Sequence, residues 1–166
     1  MAQGTGTFSD RIRAQVGQEI LLSDWFEVTQ VDVDVFAAVT RDWDHMHNDP
    51  AWAASEGPWG TTIAHGLFLL SLVGKFHGEA GFPVVATDDA YCVNYGFDRV
   101  RFTEPVRVGD RLRARLSVLG VDERKPGRDL IRTRVVLETE RLGDRPHMIA
   151  DKLTLHVHGE ATADTR

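Results

Sequence analysis

An α+β fold, with an antiparallel sheet laid over one helix, is predicted by two patterns in the chain. Residues 63 to 75, "IAHGLFLLSLVGK", are apolar nearly all round, which suits a helix only where protein surrounds it. After about residue 90 the period changes to two, in long runs of alternating apolar and polar residues separated by turn sequences. Helical patterns come first and strands last, the order of an α+β domain rather than of repeated βαβ units.

Taken in order, Phe8, Ile12 and Val16 recur every fourth residue and predict a short leading helix before the strand-like "DWFEVTQ". Val31, Val35, Phe36 and Val39 form a helical stripe, with Thr29 as N-cap and Asp32 three places on to support the first turn. Asp49 followed by Pro50 is an N-cap and first-turn signal for a second short helix, "PAWAAS". Residues 40–49, "TRDWDHMHND", are therefore a loop pinned between two helices. The apolar helix follows, from about Ile63 to Lys75, with Thr61 and Thr62 as its caps. In the strands, Leu112, Ala114, Leu116 and Val118 make one inward set and Ile131, Thr133, Val135 and Leu137 a second. Ile149, Asp151, Leu153, Leu155 and Val157 make a third, imperfect at Asp151. "VGDR", "KPGRD" and "LGDRP" mark the turns.

The chain has 166 residues and neither repeat nor linker, so one domain is expected over 1–166, with ends fraying at about 1–7 and 159–166. A net charge of −6 does not supply the basic face that nucleic acid demands. Arg99, Arg101, Arg107, Arg111, Arg113 and Arg115 do crowd one region, and on strands the alternate arginines read as a solvated sheet face. Cys92, a single cysteine, cannot form an intrachain disulfide; it reads as a small buried hydrophobe in a reducing compartment. With no signal-peptide core and no apolar run long enough for a bilayer, the expected location is the cytoplasm, away from membranes.

Chemistry concentrates in the pinned loop, where Asp42, Asp44, His45, His47 and Asp49 crowd together. On a regular helix Asp42 and His47 would stand about 140° apart, so they converge only if the chain turns between them. A carboxylate and an imidazole that do converge can move protons; the competing reading is a helix-ending Asp42 and a solvated His47. These donors, with His65 further on, are enough for a metal, but the spacing fits no ligand motif and clustered carboxylates more often cap amides, so no metal is expected. "TIAHG" opens the apolar helix, where first-turn amides lack partners. Gly66 would let a carbonyl approach its N–H closely, or else merely allow tight packing. His65 reads as structural ahead of catalytic, and Ser71 lies about one and a half turns along, its hydroxyl within reach of the same cavity.

At these residues the sequence resembles the MaoC-like dehydratases, a hot-dog-fold family that includes the (R)-specific enoyl-CoA hydratases, and within it the single-hot-dog, NodN-like branch. "FAAVTRDWDHMHNDPAWAA", "GPWGTTIAHGLFLLSL", "NYGFDRVRF" and "EPVRVGDRLRARLSV" carry the likeness, which spans the chain from about "SDWFEVTQ" to the last strand. The resemblance implies a helix wrapped by an antiparallel sheet and a homodimer with sites at or near its interface. It also implies reversible hydration of a trans-2-enoyl thioester, carried by CoA or by acyl-carrier protein, without a cofactor. Catalysis maps to Asp42 and His47, the carbonyl-polarising amide to Gly66 beside His65, and a supporting hydroxyl to Ser71. A thioesterase, or a non-catalytic acyl-thioester-binding module on the same fold, is the alternative. Many relatives have Gly at the position of Arg41, Asn or Gln at that of Asp44, and Pro or Trp at that of His45.

Overall fold

The structure, a computed structural model, describes residues 7–83, 90–143 and 145–159. The expected fraying therefore falls almost wholly outside the described residues, although Thr7 is ordered as the N-cap of the first helix. In chain order the elements are α1 (Phe8–Arg13), β1 (Glu19–Leu22), β2 (Phe26–Glu27), α2 (Gln30–Thr40), α3 (His45–Asn48), α4 (Pro50–Ser55), α5 (Gly66–Ser71), α6 (Val73–Glu79), β3 (Ala90–Phe102), β4 (Arg111–Lys125), β5 (Arg128–Thr139) and β6 (Met148–His158). One antiparallel sheet runs β1-β4-β5-β6-β3, and β2 also pairs with β4.

The sheet curls around α5 and α6. Leu69, Val73 and Phe76 of the helices pack against Leu112, Ala114 and Leu116 of β4, Val135 and Leu137 of β5, and Met148 and Ala150 of β6. Both alternating sets expected on β4 and β5 point inward and are fully buried. On the outer face Arg113 pairs with Glu138 and Arg134 with Asp151 on neighbouring strands, and Arg111 pairs with Glu140 just past the end of β5. Glu138 and Asp151 are themselves buried and Arg107 is half-buried, so the face is ion-paired rather than simply solvated. Among the described residues no helix is long and apolar enough to cross a membrane.

Several expectations need correcting. The central helix begins at Gly66, not Ile63, because Ile63 bridges to Arg107 and the Ala64 amide donates to the Val106 carbonyl. Its N-cap is His65, and Thr62 donates its hydroxyl to Gln30 instead of capping. The helix is interrupted at Leu72. There the Ser71 hydroxyl donates to the Phe68 carbonyl at 2.7 Å, and the Leu72 amide reaches that same carbonyl only at 3.3 Å. A serine competing in this way for a backbone acceptor, with Gly74 close by, bends a helix.

On α2 the valine stripe faces outward: Val31, Val35 and Val39 are exposed, whereas Val33 and Ala37 are buried. Periodicity marks a face without saying what it meets. On β6 the inward face is Met148, Ala150, Lys152, Thr154 and His156, the opposite of the set expected. Pairing with β5 fixes this, because Leu137 sits opposite Met148 and Val135 opposite Ala150. Strand β1 carried no alternation strong enough to mark it, and only Phe26 and Glu27 of "DWFEVTQ" form a strand.

Candidate active site

Helix α2 ends at Arg41, whose φ of 66° is left-handed and turns the chain sharply. Asp44 then caps α3, its Oδ1 accepting the Met46 amide at 2.9 Å, and Asp49 caps α4 by accepting the Trp52 amide at 2.9 Å. His47 lies in the single turn held between these caps. His45 is exposed, its Nδ1 3.3 Å from Asp49 Oδ2. Asp44 and Asp49 are each engaged with a backbone amide, and the His47 Nδ1 faces a carbonyl.

That carbonyl decides the chemistry of His47. Nδ1 lies 2.7 Å from the Ile63 oxygen, and a carbonyl can only accept, so Nδ1 carries the proton. In the neutral ring the lone pair is then at Nε2. His65 is held the other way round: its Nε2 donates to the backbone oxygen of Asp42 at 2.9 Å, and its buried Nδ1 has no partner among the described residues. The two rings stack at 3.7 Å between centroids. Burial is the main influence holding the pKa of half-buried His47 below the ordinary imidazole value. The Ile63 carbonyl opposes it, His65 adds to it, and the charges of Asp42 and then Asp44 oppose it. Asp42 itself is exposed, close enough for its carboxylate to act on His47.

A cleft of about 290 Å³ lies beside this pair, lined by His47, Ile63, Ala64, Gly66, Leu69 and residues 102–106. Gly66 opens α5, and among the described residues no N-cap side chain bonds that end. The ring of Phe102 lies over it; a Cβ at position 66 would stand 3.0 Å from that ring. The structure thus brings His47 and Gly66 to one cleft, with His65 stacked behind His47. Ser71 is elsewhere, on a groove with Leu67, Leu70, Gly74, Asn94, Phe97 and Lys152.

Sequence reasoning missed the residues that fix His47 in place. The Gln30 amide donates to the His47 carbonyl at 2.8 Å and to Asp34 at 2.9 Å, and Asn48 donates to the same Asp34 oxygen at 2.7 Å. Phe36 closes the back of His65, with centroids 5.2 Å apart. Gln30 and Asp34 sit four apart on the face of α2 that also carries Val33 and Ala37. That polar pair was the available signal, and the outward valine stripe masked it.

The MaoC like domain family matches residues 11–141 of this sequence. The chain belongs to the MaoC-like dehydratases. Nodulation protein N of Rhizobium leguminosarum bv. viciae is 37% identical over 144 residues, covering 87% of this chain and 88% of that protein. The 3-hydroxyacyl-thioester dehydratase Z of Mycobacterium tuberculosis is 36% identical over 146 residues, 88% of this chain and 93% of its own. Among solved structures, the (R)-hydratase from A. caviae involved in PHA biosynthesis superposes with a TM-score of 0.62 at 27% identity, covering 84% of this chain and 94% of that one. A MaoC-like protein carries the hot-dog fold, and here its helix is the two-segment α5–α6 rod inside the sheet. Of the family-implied groups, Gly66 and His47 share the cleft of this MaoC-like chain, whereas Asp42 is not among its lining residues and reaches His47 through its charge.

Proposed function

We propose that this hydro-lyase interconverts a trans-2-enoyl thioester and the (R)-3-hydroxyacyl thioester, the acyl group being carried on CoA or on acyl-carrier protein. One observation supports this most: His47 stands at the cleft with Nδ1 fixed on the Ile63 carbonyl, so that a neutral, basic Nε2 is left for a substrate or water. A low pKa keeps that nitrogen unprotonated at neutral pH. In the hydration direction, Nε2 and the Asp42 carboxylate together hold water and accept its proton as the oxygen attacks C3. The proton is returned to C2. The negative charge that develops on the thioester oxygen meets the Gly66 amide, at the uncapped start of α5. His65 is a positioning residue, tying the Asp42 backbone to the His47 ring.

The active unit in this reading is a homodimer, joined through the open edge strand β3. The dehydratase and (R)-hydratase named among the relatives and solved structures favour hydration over thioester hydrolysis.

Crotonyl-CoA separates these readings. Wild-type protein is expected to consume the enoyl absorbance without releasing thiol to Ellman's reagent; thiol release instead would make it a thioesterase, and two flat signals a binding module. General acid–base groups contribute about 10²–10⁴-fold, so Asp42→Asn and His47→Ala should each lower kcat by that range with the melting temperature nearly unchanged. Wild-type turnover in either variant would remove that residue from the mechanism.

A further inference from the structure

We propose that Asp129, His156 and His158 form a binding site for a divalent transition metal, with zinc(II) the best match. Asp129 lies opposite His156 across the β5–β6 pair, and His158 follows two residues along the same strand, so all three side chains share the inner face of the sheet. One donor atom from each lies within 4.8 Å of the others, and His158 Nε2 is already 2.8 Å from Asp129 Oδ2. Ligands of a tetrahedral zinc stand about 3.4 Å apart, given Zn–N and Zn–O lengths near 2.1 Å. Modest side-chain rotation closes the set and leaves a fourth position for water. Imidazole nitrogen with carboxylate oxygen suits zinc, cobalt or nickel rather than calcium or magnesium.

A second observation points to a ligand. His156 is 1% exposed, and its Nε2 has no hydrogen-bond partner among the described residues, while its Nδ1 lies 2.6 Å from the Ser9 hydroxyl. A buried ring nitrogen without a partner forfeits its hydration, and a metal bond would relieve it. The Ser9 contact is also the outer-shell bond that orients a metal-bound histidine.

Arg13 is the competitor, its Nη2 3.4 Å from Asp129 Oδ1. It has an alternative partner in Asp10 at 2.8 Å, which lets it yield one carboxylate oxygen. The charge of Arg11 also acts on His156 and lowers affinity for a cation. The site is remote from the cleft. Residues 102–106 line the cleft, and Phe102 pairs with Met148 at the other end of β6, about 30 Å from His158 at 3.3 Å per residue. The metal would therefore clamp α1 and the ends of β5 and β6 together, not take part in turnover.

The test uses the full chain, freed of any affinity tag and dialysed against chelator, with zinc chloride titrated by calorimetry. One equivalent is expected to bind, and cobalt(II) is expected to give visible tetrahedral bands that zinc bleaches. His158→Ala, a partly exposed position, and Asp129→Asn should each weaken binding by more than about tenfold, the lower end of what even outer-shell changes cost. His45→Ala, at the exposed histidine of the pinned loop, should bind as wild type does. An absence of zinc binding by the wild-type chain, or an unchanged isotherm in both site variants, overturns the proposal. Circular dichroism melts show that each variant is folded before it is scored.

Discussion

Arg41 holds a conformation that an L-residue with a full side chain resists. Its amide donates to the Ala37 carbonyl at 2.8 Å, closing α2, while its φ of 66° lies where Cβ crowds the backbone. Glycine adopts this geometry without that clash, so Arg41→Gly is expected to stabilise the protein by about 0.5–1 kcal/mol, read as a higher urea midpoint at unchanged slope. A lower midpoint would show that the arginine side chain contributes more than the backbone strain takes away. At this scale the caps were legible, because Thr29 with Asp32, and Asp49 with Pro50, are local chemistry: side-chain oxygens within three residues of the amides they accept. The left-handed turn was not, since nothing in an arginine announces it. The tautomer of His47 was hidden as well, because Ile63, sixteen residues away, sets it.

Elements were legible where each had one apolar face, and misread where both faces were apolar or the partner was unknown. Strands β4 and β5 alternate cleanly, whereas β6 carries Ile149, Leu153, Leu155 and Val157 on one face and Met148 and Ala150 on the other, so only the register on β5 chooses. The central helix poses the sharper problem. Its lack of a polar face implies enclosure, yet in the single chain Leu67 is 60% exposed. Leu67 shares a groove with Asn94 and Phe97 of β3, and β3 is an edge strand that also exposes Val93, Tyr95 at 58%, and Phe102. A long open edge carrying apolar side chains invites pairing. A second copy set against β3 would supply the missing cover for the helix. Light scattering should therefore give about twice 18.5 kDa for the wild type, and the double change Val93→Lys with Tyr95→Lys should halve it. A monomeric wild type would leave the helix face unexplained and sink the dimer.

Across the whole molecule, buried neutral histidines link the fold to pH. His47 in α3, His77 in α6, His147 before β6 and His156 within it are all pushed below the ordinary imidazole pKa, in each case chiefly by burial. His77 is the extreme. It lies between the Val73 carbonyl, 2.8 Å from Nδ1, and the Thr133 hydroxyl, 2.7 Å from Nε2. Burial, with Lys152 as a positive neighbour, takes its pKa down to about 4. In the unfolded chain that imidazole returns to about 6.5, so between these values the unfolded state binds the proton and the native state does not. The contribution is complete above about pH 6.5 and drains away as the pH falls toward 4, amounting to about 3 kcal/mol for His77 alone. Against a total of about 5–15 kcal/mol this is a large share. The surface caps Asp10 and Asp49 titrate below the ordinary carboxylate value, so their losses come later, at still lower pH. Urea midpoints are thus expected to fall steadily from pH 7 to 4.5, before those carboxylates titrate, and the slope should flatten in His77→Gln, which keeps polar atoms toward Thr133 but cannot take up the proton. A midpoint constant over that range, or an unchanged slope in the variant, would mean that the buried ring is solvated in the native protein and that the sheet does not close over α6 as described.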